Sequence, residues 1–177
     1  RNKNCLLERQ KLRRRCAVPK IKLKLNMDSI NQALKEVKAY QKKVKKAADD
    51  LTRKLTEQGV SLAQLNASYM NIYDTGELMR GIESQYKGKV GFVVSTATHS
   101  IFCEFGTGIV GARNPHPEVA IAGWRYDVNE HGELGWWYIG RDGKAHWTKG
   151  MPSRPYMYDT AKMLRDMVVP LAKEVMR

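Results

Sequence analysis

Cysteine is scarce in this sequence. There are three, Cys5, Cys16 and Cys103, among 177 residues, with no CxxC spacing. An odd count without paired spacing argues against a disulfide framework or a zinc ribbon and fits a reducing compartment. Long apolar runs are lacking too. A stretch such as Met167-Val168-Val169-Pro170-Leu171-Ala172 is about as long as they get, far short of the roughly 20 residues a membrane span needs. No apolar h-region follows the basic start, so a secretory signal is not expected. The chain also has no GxSxG, P-loop, HExxH or paired-carboxylate motif, and no catalytic, metal or cofactor-binding residues are assigned.

Three features come nearer to chemistry. Gly106-Thr107-Gly108-Ile109-Val110-Gly111 is a literal GxGxxG. A dinucleotide site needs that motif between a strand and a helix, and Asn114-Pro115 and Pro117 follow at once, so the segment reads as a loop. The histidines, His99, His116, His131 and His146, have no ligand spacing and read as surface or loop residues. Cys103 alternates with Phe102 and Glu104 and reads as a buried small apolar residue in a strand. On a strand, His99 would stand roughly 13 Å from it along the chain, too far to serve as its base.

What the chain does have is positive charge, unevenly placed. Apolar residues are 42% and charged residues 28%, ordinary globular values, but the net charge is +13. Residues 1–25 hold ten Lys and Arg and one acid, a net +9; the other 152 residues hold 21 basic and 17 acidic residues, a net +4. The basicity therefore belongs mainly to an arm, residues 1–18, read as flexible. Arg13, Arg14 and Arg15 are its candidate contacts with DNA or an acidic surface.

The rest, residues 19–177, reads as one α+β domain. Ile21, Leu23 and Leu25 alternate with lysines as a short strand. Asp28 is a plausible N-cap of a long helix whose apolar stripe runs from Ile30 through Leu34, Val37, Val44 and Leu51 to Leu55, with Gly59 ending it. Ser61 and Gln64 form a capping-box pattern for a separate short helix to about Tyr69. The period then changes to two, predicting strands at Ile82–Tyr86, Val90–Ser95 and His99–Phe105. A loop spans residues 106–118. Strands follow at Ala120–Val128 and Gly135–Gly140, and Asp142-Gly143 turns the latter back onto Ala145-His146-Trp147 as a hairpin. Pro155, with Ser153 as cap, opens a second long helix that Pro170 should kink or end. The expected architecture is an antiparallel β-sheet packed against two long helices, with an inserted hairpin and a Gly/Pro-rich loop.

Three segments carry a resemblance. Asp74-Thr75-Gly76-Glu77-Leu78-Met79-Arg80-Gly81-Ile82 resembles a DTGxLxxSI-type signature. Glu104-Phe105-Gly106-Thr107 resembles the EFGT that follows it after two strands. Gly150-Met151-Pro152-Ser153-Arg154-Pro155-Tyr156-Met157 resembles the xxPFM step that opens a final helix. In this order, over residues 20–177, they resemble the small tail-component or neck (head–tail joining) proteins of long-tailed bacteriophages, the HK97-type tail-component family in particular. Gly81 stands where that family often has Ser and Tyr156 where it often has Phe, and residues 106–149 look like a long insertion.

The resemblance implies a non-enzymatic structural virion protein at the head–tail junction or tail, assembled in the host cytoplasm. It would work as a homo-oligomeric ring, often sixfold, against other neck, connector or tail proteins, with no cofactor and no membrane. Asp74, Thr75, Gly76, Glu104, Phe105, Gly106, Thr107, Gly108, Arg154 and Pro155 become the interface or fold-defining residues. Whether Asp74, Thr75 and Gly76 hold the fold or meet a neighbour stays open, as does whether Glu104 pairs inside the subunit or reaches a neighbour's base. The glycine segment after Phe105 is expected to project and meet sister copies. The alternative is a nucleic-acid-binding module that uses the arm and the aromatic hairpin; Trp124, Trp136, Trp137 and Trp147 interleave with Arg125, Arg141, Lys144 and Lys149.

Overall fold

The computed structural model describes residues 21, 24, 26–72, 75–126 and 135–176. The arm with Arg13, Arg14 and Arg15, most of the Ile21–Leu25 stretch, and Asp74 lie outside the described residues. The chain is α+β: two long helices, α1 (Met27–Tyr69) and α6 (Tyr156–Val175), pack together, and two antiparallel hairpins contact α1. Between them run α2 (Glu77–Arg80), β1 (Ile82–Lys87), β2 (Val90–Ser95), α3 (Ser100–Phe105), α4 (Gly108–Arg113), α5 (Val119–Ala122), β3 (Trp136–Ile139) and β4 (Ala145–Thr148). No helix among the described residues is long and apolar enough to cross a membrane.

The chain forms two compact units, Thr56–Arg165 and the segments on either side of it. In the outer unit the stripe of α1 buries Ala33 and Ala47 but leaves Leu34, Val37 and Val44 exposed, and Lys54 Nζ pairs with Glu174 Oε1 at 2.6 Å. In the central unit the core gathers Ala63, Ala67, Ile72, Leu78, Ile82, Ala97, Cys103 and Tyr156. Asn66 Nδ2 donates to Thr160 Oγ1 at 3.0 Å and ties α1 to α6 there.

Several expectations are corrected. Gly59 does not end the first helix, which runs on to Tyr69. An added Cβ would lie 2.6 Å from Val93 Cγ2 and 3.0 Å from Leu164 Cδ1, so the glycine is there for close packing. Ser61 starts no helix either: its hydroxyl bonds back to the Glu57 carbonyl, while Gln64 reaches the Met79 carbonyl. The single sheet is two separate two-stranded hairpins, β1–β2 and β3–β4. The strand at His99–Phe105 is helix α3, because six residues of mixed polarity carry no period strong enough to separate strand from helix. The loop at residues 106–118 contains α4, and the strand from Ala120 is replaced by α5, stopped at Gly123 (φ +64°). Pro170 lies inside α6, which continues to Val175. The hairpin turns are as expected: Ile82 faces Ser95, and Trp137 faces Trp147 across the Asp142-Gly143 turn.

Candidate functional site

The central unit brings the second and third signature segments together at the Glu104 carboxylate, and the first meets them along a neighbouring cavity. Helix α3 ends at Gly106, and the segment it enters places Glu104 beneath the start of α6. Its Oε2 accepts the Met157 N–H and its Oε1 the Tyr158 N–H, both at 2.9 Å. Glu104 therefore supplies the cap that the sequence assigned to Ser153, with a negative charge at the helix N-terminus where the backbone N–H groups lack partners. The Ser153 hydroxyl donates instead to the Glu104 carbonyl at 2.7 Å, and the Arg154 N–H to the Cys103 carbonyl at 3.0 Å.

The third partner is His116, which sequence reasoning had placed among surface or loop histidines; it is 4% exposed. The Glu118 N–H donates to His116 Nδ1 at 3.0 Å, so Nδ1 carries no hydrogen. The proton of the neutral ring is thus on Nε2, which donates to Glu104 Oε1 at 3.1 Å. Tyr126 Oη accepts the His116 N–H, and the ring packs 4.3 Å from Phe105 and 5.4 Å from Tyr158. Phe105 also stacks on Trp124, whose Nε1–H bonds to the Gly106 carbonyl. Burial pushes the Glu104 carboxyl above its ordinary range, against the lowering pull of Met157, Tyr158 and His116. So Glu104 pairs inside its own subunit. The one signal in the sequence for its partner was a histidine held between Pro115 and Pro117, a stiff segment that fixes where the ring points.

The glycine segment does not project. Gly106, Gly108 and Gly111 are buried, and Thr107 exchanges backbone hydrogen bonds with Met151 in both directions, at 2.9 and 3.2 Å. Gly106 (φ +79°) has room for no Cβ, which would lie 2.6 Å from the Ser153 nitrogen and 2.8 Å from the Met151 oxygen. The expectation that this segment mates with sister copies is corrected: backbone of its own subunit fills the space.

A cavity of about 280 Å³ lies among Asn71, Ile72, Thr75, Gly76, Glu77, Leu78, His99, Cys103, Arg141, Met151 and Arg154. Gly76 (φ +74°) makes the turn into α2, and the Glu77 N–H reaches Thr75 Oγ1 at 3.4 Å. Pro155 directly precedes α6, and its carbonyl accepts the Asp159 N–H. No group of three or more metal-ligand side chains occurs among the described residues.

Cys103 is buried, as expected, but in α3 it stands one turn from His99 rather than 13 Å along a strand. Burial pushes its thiol up from 9.0, with Arg154 pulling the other way. That direction disfavours the thiolate a nucleophile needs. In a Cys5→Ser, Cys16→Ser background at pH 8, the folded chain is expected to react with a thiol reagent at least about tenfold more slowly than the unfolded chain. Because the folded state keeps this proton to higher pH, the group's contribution to stability is complete below about 9.0 and lost as pH rises through the folded value. Cys103→Ala should therefore lose stability less steeply above pH 9 in denaturant titrations; an unchanged slope would contradict the burial.

No family model matches the chain, and no curated protein or solved structure matches it either.

Proposed function

We propose that this protein is a structural subunit of a tailed-bacteriophage virion that acts at the head–tail junction or the tail by forming rings. The observation that carries the reading is the meeting of the three signature segments. Residues 75–78, 103–107 and 151–158 are far apart in sequence, yet they share one cavity and one capped helix start. A set of motifs that defines a common fold would behave this way. Assembly surfaces are then sought where apolar side chains lie open, since the glycine segment is internal. Trp137, Ile139 and Trp147 share one face of the β3–β4 hairpin, at 65%, 71% and 46% exposure. Exposed apolar faces of this kind serve subunit contacts.

The test is the mass and shape of the full chain under native conditions, alone and mixed with connector and tail-tube proteins. Ring-sized particles in electron micrographs are expected. A chain that stays monomeric in every mixture removes the reading.

The same hairpin favours a second reading, nucleic-acid binding. Trp137 and Trp147 stand edge to face at 5.4 Å, and Arg141, Lys144 and Lys149 are exposed nearby in sequence. Stacking on single strands would quench their fluorescence and weaken steeply with salt.

A further inference from the structure

Strand β1 presents an edge that its own subunit leaves unpaired. The Thr96 N–H donates to the Gly81 carbonyl at 2.9 Å, in the same register that pairs Glu83 with Val94, Gln85 with Phe92 and Lys87 with Val90. Antiparallel pairs alternate between those that exchange hydrogen bonds and those that do not. These three pairs therefore exchange bonds, and the N–H and C=O groups of Ser84 and Tyr86 point away from β2. Among the described residues those outward groups have no hydrogen-bond partner, and the sheet ends at β1. The edge is open to approach: every residue from Glu83 to Lys87 is exposed, and nothing lies within 4 Å of a Cβ placed on Gly88 at the turn. The other edge of the hairpin, at Gly91, Val93 and Ser95, is half-buried.

An open edge is a template for another strand, and proteins blunt it with charged side chains. β1 carries two, Glu83 and Lys87, on one face of the strand. Neither forms an ion pair among the described residues; the Glu83 carboxylate accepts from the Gln85 amide at 2.9 Å. These charges oppose most strands but suit one. When β1 meets a second β1 antiparallel, with Ser84 opposite Tyr86 in both directions, the outward N–H and C=O groups of both copies pair. Glu83 then falls directly opposite Lys87 at both ends of the contact, and Gln85 faces its own copy at the centre. The charged pairs occupy the positions that do not exchange hydrogen bonds, where side chains approach closest. An in-register parallel pairing would set like charge beside like charge. We infer that two copies of this chain join edge to edge through β1 across a two-fold axis. They make one sheet in the order β2–β1–β1–β2, its register set by the Glu83–Lys87 pairs. The inference goes beyond the ring reading, since a two-fold contact links copies in pairs whether or not rings form.

The experiment measures self-association of the full chain by analytical ultracentrifugation, for the wild type, Glu83→Lys and Lys87→Glu, with thermal melts to show that each variant is folded. Each variant alone sets like charges opposite one another and should weaken association by about tenfold. An equimolar mixture of the two restores unlike charge at both ends of the contact and should associate about as tightly as wild type. A measurement that needs no variant is amide exchange: the Ser84 and Tyr86 amides should slow as wild-type concentration rises, while that of Val93 should not. Single variants that associate like wild type, a mixture that associates no better than either variant, or Ser84 and Tyr86 amides insensitive to concentration overturn the β1 contact and leave the ring reading standing. A chain that stays monomeric alone also overturns it, and the ring reading falls with it only if mixtures with connector and tail-tube proteins yield no larger particle.

Discussion

Glu104→Ala is expected to destabilise the folded chain by about 3 kcal/mol or more, at about 1–3 kcal/mol for each buried donor left without an acceptor. The substitution strands three donors at once: the N–H groups of Met157 and Tyr158 at the start of α6 and Nε2–H of His116. His116 is buried away from water, and the two part-buried amides are held at the first turn of a helix packed on the core through Tyr156. Glu104→Gln is the sharper probe. It keeps the shape, but its amide NH₂ must face either a helix N–H or the imidazole N–H, donor against donor. His116 cannot change tautomer to help, since Nδ1 is already accepting from the Glu118 N–H. The loss should be about 1–3 kcal/mol, the penalty of an unsatisfied buried group. His116→Ala combined with Glu104→Ala should lose less than the two singles added together, by about 1 kcal/mol, because they share one hydrogen bond. Urea midpoints at constant slope measure all four proteins. If Glu104→Ala unfolds within about 1 kcal/mol of wild type, the capping account is wrong. Hydrogen exchange locates the effect: the Met157 and Tyr158 amides should lose protection before those in the middle of α6.

How much of this was legible in the sequence depends on the range of the interaction. The long apolar stripe of α1, the β1–β2 hairpin and the Asp142-Gly143 turn are encoded by neighbours three, four or two residues apart, and each appears where its period put it. Gly59 misled because a helix-ending glycine and a close-packing glycine look alike until Val93 and Leu164 are seen to occupy the space. Residues 99–122 misled for a related reason. They hold short helices of four to six residues, which carry too little periodicity of their own and are fixed by contacts with residues 126 and 149–154. The cap of α6 could not be read locally at all, since Glu104 lies more than 50 residues before the amides it receives. Of the site residues, Glu104, Gly106, Gly108 and Arg154 were singled out by sequence, whereas His116, whose ring completes the carboxylate's shell, was not. A carboxylate inside an apolar segment signals that a partner exists without saying which.

Gly106→Ala and Gly150→Ala should destabilise the chain by about 3–5 kcal/mol each, summing backbone strain of about 1–3 with overpacking of about 1–3. Both glycines sit at positive φ, +79° and +93°, and both face backbone. An added Cβ at Gly150 would overlap the Thr107 carbonyl oxygen, and one at Gly106 would press on the Met151–Ser153 backbone. A side-chain neighbour could change rotamer; these cannot move without breaking the Thr107–Met151 hydrogen bonds that join the two segments. Gly123→Ala and Gly88→Ala supply the control. They have φ of +64° and +63° and nothing within 4 Å of the added carbon, so only the left-handed strain remains, about 1–2 kcal/mol. The gap between the pairs isolates close approach from backbone conformation. It also separates two accounts of the segment after Phe105. Were these glycines a surface for sister copies, Gly106→Ala would fold normally and fail to assemble. As the floor of the segment that carries Glu104 to the start of α6, they should show their effect in urea unfolding of the chain before any assembly is attempted, and equal midpoints for Gly106→Ala and Gly123→Ala would restore the surface account.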